Sequence, residues 1–190
     1  MRDQPAAHRR CRVAAEGPLG KLIDLVVQRL TLAHDVAAVK YANEQPIDDR
    51  VREAEILQAL TSAPEVSGPY GQAEIQFFRD QIEANKVIQR GLHQRWHAHP
   101  EEVPSAYPSL AAEVRPQLDR ITTQIMLQFE SVAAMPRVSF GDIGDLVDER
   151  LATEGSARQL PRLHRAAALF AMRSLCGPVL SERYPRRAVN

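Results

Sequence analysis

Two cationic residues lie on what should be an apolar face of the first predicted helix. Arg29 has apolar neighbours at positions i−4, i−3, i+3 and i+4, and Lys40 follows eleven residues later. Eleven steps of about 100° return to nearly the same face, roughly 16 Å further along the axis. Two long cations on one face could hold opposite ends of a small dianion. Each could equally be a surface residue whose stem covers the helix while its charge stays in water.

Two more polar clusters follow along the chain. Asp49, Arg52 and Glu53 have the i, i+3, i+4 spacing that places side chains on one helical face, where they could form a local salt-bridge cluster. Asn85 and Gln89, at i and i+4, are flanked by isoleucines. Buried amides are tolerated at such positions only when they are hydrogen-bonded, either to each other or to a ligand.

These residues fall on the first three of about six predicted helices, in an all-α chain without a strand pattern. Apolar residues recur at helical spacing from 19 to 42, and Pro46 is expected to end this helix. Asp48 and Asp49 can then cap a second helix. Proline and glycine predict a loop over 61–71 and a linker over 98–108. The remaining helices are expected at about 49–60, 73–97, 110–132, 141–152 and 157–175, and the one at 110–132 is expected to be interrupted or to start near Pro116.

Composition narrows the classes of function. The chain has 190 residues, 44% of them hydrophobic, with 24 Lys plus Arg against 24 Asp plus Glu. This balance gives no net field that would favour nucleic acid or an anionic membrane, and no window approaches the ~20 apolar residues of a membrane span. Cys11 and Cys176 match no zinc-ligand spacing. The stretch 1–12 lacks the apolar core of a signal peptide, which leaves a cytoplasmic location open.

A histidine-rich segment closes the third predicted helix. His93 and His97 are spaced i, i+4 and His99 follows, but no carboxylate or cysteine stands at ligand spacing, so surface or capping roles are expected and no metal site is predicted. Trp96 is expected to pack the end of this helix.

Taken together, the polar residues resemble the active-site series of the AroQ-class chorismate mutases. The resemblance rests on VQRL (27–30), DVAAVK (35–40), PIDDRVRE (46–53) and FRDQIEANKVIQ (78–89). It covers about residues 19–97 and continues more weakly through the second half. It implies an all-helical bundle that rearranges chorismate to prephenate, a step of aromatic amino acid biosynthesis that needs no cofactor.

The length of the chain resembles the secreted subclass, in which one chain supplies every arginine of the site. Arg115 falls where that subclass places its internal arginine, and Arg120, a turn later, is a rival. The subclass implies export and often a homodimer. It also often carries a disulfide in the second half: Cys176 resembles one partner, but no cysteine stands near Ala134 or Met135.

The resemblance also implies roles for the individual residues. Arg29 and Arg115 bind the substrate carboxylates with Arg52 as support, and Lys40 and Gln89 act on the ether oxygen. Either Glu53 or Asp49 accepts a hydrogen bond from the ring hydroxyl. Asn85 bonds a carboxylate or orients the Gln89 amide.

The resemblance predicts one domain over residues 19–176, with its main catalytic helices in 19–97 and helices that complete the site in 108–176. Residues 1–18 are then an extension and 177–190 a tail. Two other functions fit a chain of this kind. The same fold supports elimination of pyruvate from isochorismate, although the extended second half argues against it. A non-catalytic helical interaction protein is disfavoured because every expected ligand position is retained.

Overall fold

The computed structural model describes residues 17–62, 70–135, 139–153 and 160–175. Within these ranges the chain forms six α-helices and no strand, which confirms the all-α prediction. Both cysteines lie outside the described residues, as do the predicted tail and all of the N-terminal extension except its last two residues. The helices are α1 (Pro18–Ala42), α2 (Arg50–Ser62), α3 (Gly71–Ala98), α4 (Arg115–Ala133), α5 (Phe140–Leu151) and α6 (Pro161–Met172).

Helix α1 ends at Ala42, as the apolar repeat predicted, but a tight turn rather than Pro46 ends it. The N–H of Gln45 donates to the Lys40 carbonyl at 2.8 Å, and that of Glu44 donates to the Tyr41 carbonyl at 3.3 Å. This pair of bonds is the Schellman motif, in which the residue that donates the second bond adopts a left-handed conformation. Glu44 provides it with a φ of 52°. The chain therefore reverses just after Ala42 and brings Ile47 back beside Lys40.

The helix predicted over 110–132 starts next to Pro116, as expected, and the segment before it is wound more widely than an α-helix. A π-helical turn spans Leu110–Val114, and α4 begins at Arg115 with Pro116 in its first turn. Proline is tolerated there because first-turn N–H groups have no partner within the helix. Ser109 caps the π-helical turn by accepting from the Ala112 N–H at 3.2 Å.

The core lies between three long helices. Helix α1 packs against α3 and α4, and α3 also packs against α6, which in turn contacts α5. Phe77 of α3 meets Phe129 of α4 with ring centroids 5.3 Å apart. Helix α2 packs mainly on α3 and buries only Leu60. One face of α2 is therefore free to line a cavity, and polar contacts must help to hold it.

Aromatic rings and histidines pack together where α1 meets the end of α3. Trp96 is fully buried, with its ring centroid 5.4 Å from that of Tyr41, which confirms its packing role. His93 Nε2 lies 2.9 Å from the Ala37 carbonyl, and His97 Nδ1 lies 2.8 Å from the Tyr41 hydroxyl. These two histidines thus tie α3 to α1.

Candidate active site

A cavity of about 490 Å³ opens between α1, α2, α3 and α4. Its volume falls in the range of sites that bind small molecules. All eight residues that the sequence singled out line this cavity: Arg29, Lys40, Asp49, Arg52, Glu53, Asn85, Gln89 and Arg115.

Arg29 is a buried cation held by neutral groups. Its side chain is 5% exposed, and its Nη1 donates to Thr122 Oγ1 at 2.9 Å and to the Leu118 carbonyl at 3.4 Å. Burial lowers the pKa of the guanidinium to about 10, against the opposing field of Asp119. Arg29 therefore stays charged at neutral pH. Among the described residues, no carboxylate lies within ion-pair distance of it, and its buried Nε has no hydrogen-bond partner.

Lys40 lies at the opposite end of the same helical face and is also buried, at 9% exposure. Its Nζ donates to the carbonyl of Ile47 at 2.7 Å, a contact made possible by the tight turn that ends α1. Burial lowers the pKa of Lys40, while Asp49 and Glu53 nearby oppose that shift. Within the described ranges, the ammonium forms no ion pair.

The two amides of α3 are hydrogen-bonded to each other. Gln89 Nε2 donates to Asn85 Oδ1 at 2.5 Å, and Asn85 Nδ2 donates to the Arg29 carbonyl at 3.5 Å. Gln89 is 4% exposed, and its Oε1 is buried without a partner in the described part of the chain. The second proton of the Gln89 amide is not used by Asn85. A polar ligand in the cavity would meet an amide that is already oriented.

Helix α2 begins at the edge of the cavity. Asp49 Oδ1 accepts from the Arg52 N–H at 3.0 Å, the bond expected of an N-cap residue. The Arg52 guanidinium lies 3.3 Å from Glu55 and 3.4 Å from Asp119 of α4. Unlike Arg29, this arginine thus already contacts carboxylates.

Sequence reasoning missed Lys86, which neutralises acidic groups in the wall of the cavity. Its Nζ lies 2.7 Å from Glu83, 3.0 Å from Glu53 and 3.2 Å from Asp48. Burial opposes the charge, but these three hydrogen bonds outweigh it and raise the pKa of Lys86. The ion pairs hold α2 and the loop before it against α3. The signal was present, because Lys86 shares a helical stripe with Ile82 and Gln89 at i−4 and i+3.

Arg115, and not its rival Arg120, lies in the wall of the cavity. Helical spacing explains the choice, because residues i+3, i+4 and i+7 from Arg115 also line the cavity, whereas i+5 points elsewhere. Those residues are Leu118, Asp119 and Thr122, none of which the sequence analysis had singled out. Arg115 forms no ion pair or side-chain hydrogen bond with other described residues.

The cations of the cavity fall into two groups. Arg52 and Lys86 contact carboxylates, whereas Arg29, Lys40 and Arg115 contact none among the described residues. Arg29 and Lys40 are buried and Arg115 is exposed. Since a buried charge without a counter-ion is costly, Arg29 and Lys40 are suited to a ligand that brings its own negative charge, and Arg115 is free to contact the same ligand.

One set of possible metal ligands lies away from the cavity. Atoms of His99, Glu101 and Glu102 come within 4.8 Å of one another beyond the end of α3. Glu102 is also hydrogen-bonded to Arg95, and exposed acidic groups often gather without a metal.

Among the described residues, no helix is long and apolar enough to cross a membrane.

Comparison with known proteins assigns the family. The crystal structure of chorismate mutase from Burkholderia phymatum superimposes with a TM-score of 0.68 and 33% sequence identity, covering 86% of this chain and 99% of that one. The chain belongs to the chorismate mutase family. The profile described as Chorismate mutase type II matches residues 20–90, which include most of α1, all of α2 and the first 20 residues of α3.

Curated relatives of this chain are named secreted chorismate mutases. The one from Mycolicibacterium smegmatis is 29% identical over 161 residues, which cover 84% of this chain and 86% of the relative. The one from Yersinia pestis is 29% identical over 124 residues, 65% of this chain and 66% of the relative. The chain thus spans slightly less than two-thirds of the length of the Yersinia relative.

Proposed function

We propose that this chain catalyses the rearrangement of chorismate to prephenate. The observation that supports the proposal best is the set of three cavity cations without carboxylate partners, Arg29, Lys40 and Arg115, in a member of the chorismate mutase family. The substrate carries two carboxylates and an ether oxygen that gains negative charge as its bond breaks. In the reaction one C–O bond breaks and one C–C bond forms, so no proton, electron or group enters or leaves.

The first task of the site is to hold a flexible dicarboxylate in its compact reactive conformation. We assign Arg29 and Arg115 to the two carboxylates, because a guanidinium matches a carboxylate with two hydrogen bonds. Arg52 supports one of them. The bonds from Arg29 to Thr122 and Leu118 orient its guanidinium before substrate arrives.

The second task is to stabilise charge that develops on the ether oxygen. Lys40 and Gln89 take this role in our proposal, with Asn85 orienting the Gln89 amide. Glu53 or Asp49 accepts the ring hydroxyl. The contact between Lys86 and Glu53, at 3.0 Å, holds that carboxylate in the wall of the cavity.

The direct test is to incubate the purified full chain with chorismate and follow both the loss of its ultraviolet absorbance and the appearance of prephenate. We expect acceleration by many orders of magnitude over the uncatalysed reaction. A rate equal to the uncatalysed one would refute the proposal. A parallel incubation with isochorismate, assayed for pyruvate, distinguishes the lyase reaction.

Gln89→Glu should make the reaction depend on acid. The amide donates at any pH, whereas a carboxyl group donates only when it is protonated. We expect wild-type kcat to stay level between about pH 5.5 and 8, and kcat of the variant to be lower at neutral pH and to rise as the pH falls towards the ordinary Glu pKa of about 4.3. Gln94→Glu, on the exposed face of α3, is the control. An unchanged profile would remove Gln89 from the ether-oxygen role.

Arg115→Ala and Arg120→Ala, compared side by side, test which arginine completes the site. A hydrogen bond to a charged group contributes about 1.5–3 kcal/mol, so Arg115→Ala should lower kcat/KM by roughly 10-fold to 100-fold. Arg120→Ala should stay within about twofold of wild type, because Arg120 lies outside the wall of the cavity. The reverse ranking would show that our assignment on α4 is wrong.

The names of the relatives support a location outside the cytoplasm, which we include in the proposal. Fractionation of the source cells, followed by the mutase assay on periplasmic, culture and cytosolic fractions, tests it. A homodimer stays a prediction, and light scattering against the chain mass of 21.2 kDa checks it.

A further inference from the structure

We propose that Asp119 competes with a substrate carboxylate for Arg52, and so sets how strongly the cavity binds dianions. This inference deepens the proposed function and rests on it. No role for Asp119 was expected from the sequence.

The geometry places Asp119 among the groups that would receive a substrate carboxylate. Its Oδ1 lies 3.4 Å from Arg52 Nη2, a contact between α4 and α2 across 67 residues of sequence. Its neighbours Leu118 and Thr122 on α4 are the two residues that hold the guanidinium of Arg29. A carboxylate that contacts both Arg29 and Arg52 must therefore lie beside Asp119.

The position of Asp119 matters because the positive and negative charges that line the cavity nearly balance. Among the described residues, five cations and four carboxylates line the cavity, and together they carry a net charge of only +1. The carboxylates are Asp49, Glu53, Glu55 and Asp119. Glu53 is neutralised by Lys86, and Asp49 caps α2. Glu55 lies one turn from Arg52 on the same helix. Asp119 alone of the four comes from α4, on the side of Arg29.

The contact with Arg52 is too loose to serve mainly as a support. The Asp119 side chain is 66% exposed and the ion pair is long, and exposed pairs of this kind contribute little to structure. Asp119 also repels an incoming carboxylate, over a distance similar to that of its contact with Arg52. We therefore expect this repulsion, rather than any support of Arg52, to dominate the effect of Asp119 on binding.

The test compares Asp119→Asn with wild type in the full chain. We expect KM for chorismate to fall about threefold, with kcat within about twofold of wild type, since an exposed pair is worth roughly that factor. The dissociation constant of prephenate, measured by calorimetry, should fall by the same factor. Both differences should shrink in about 0.5 M salt, because salt screens exposed charges. Glu130→Gln removes a charge from the exposed face of α4 outside the cavity and should change neither constant.

Two kinds of result would contradict the proposed role of Asp119. A KM that rises, or a kcat that falls severalfold, would show that Asp119 instead holds Arg52 in place, and an unchanged KM would show that it does not act on binding. Either result overturns the inference. A wild-type chain that fails to convert chorismate would refute the proposed function itself. The prephenate titrations would still compare the wild-type chain with Asp119→Asn.

Discussion

Replacing Lys40 with alanine should lower kcat by about 100-fold to 1,000-fold while the chain stays folded. Removal of one preorganised donor from a site that stabilises developing charge typically costs about 3–4 kcal/mol in the transition state. The Lys40 ammonium is held at 2.7 Å by the Ile47 carbonyl, so it is in place before the substrate binds. Steady-state kinetics with chorismate, together with circular dichroism to confirm helical content, measures the effect.

Lys21→Ala is the matched control for this experiment. Lys21 lies on the same helix but is exposed, and we expect its loss to leave kcat and KM unchanged. If Lys40→Ala kept full activity with an intact fold, the reacting atoms would have to lie elsewhere, and our assignment of the site would fail.

Replacing Arg29 with methionine should abolish most activity and at the same time stabilise the fold. Loss of a buried charge that binds a carboxylate costs about 2–5 kcal/mol, so kcat/KM should fall by at least about 100-fold. The stability effect has the opposite sign. A folded-state pKa of about 10, below that of the exposed residue, means that the charged form destabilises the fold at neutral pH. Only as the pH rises above about 10 does the guanidinium lose its proton in the folded chain, which relieves this destabilisation.

Methionine fills similar volume without charge, and Thr122 keeps its bond to the Leu118 carbonyl at 2.8 Å. We therefore expect the free energy of unfolding at neutral pH to rise by about 1–3 kcal/mol, measured by urea titration. Arg79→Met, at an exposed position on α3, should change neither stability nor activity. A marked loss of stability in Arg29→Met would show that Arg29 is mainly a structural residue.

Local patterns were sufficient to predict where the helices lie, but not why they end. The apolar repeat placed the first helix within one residue of its start. The end at Ala42 depends on Glu44 in a left-handed conformation, and glutamate is not a residue that signals such a turn. The π-helical turn before Arg115 was equally invisible, because its wider winding leaves no distinct pattern of residue types.

The site was predictable to the extent that its residues share a helical face or a family motif. Arg29 and Lys40 met both conditions. The contacts of Arg29 with Leu118 and Thr122 bridge 89 and 93 residues, and the Arg52–Asp119 contact bridges 67. Such distant pairs depend on how α4 packs, which helical spacing within one element cannot predict. Lys86 was overlooked for another reason, since a lysine near acidic residues on a helix usually indicates a solvated face.

With Arg115 on α4, the described residues that line the cavity all belong to one polypeptide. In an enzyme that borrows a side chain from its partner, mixing two differently inactivated variants can regenerate some intact sites. Here a mixture of Lys40→Ala and Arg115→Ala chains should show no more turnover than the sum of its components, even if the chains associate. On our assignment of the site, each chain carries its own complete catalytic apparatus, so damage in one copy should be neither rescued by, nor transmitted to, another.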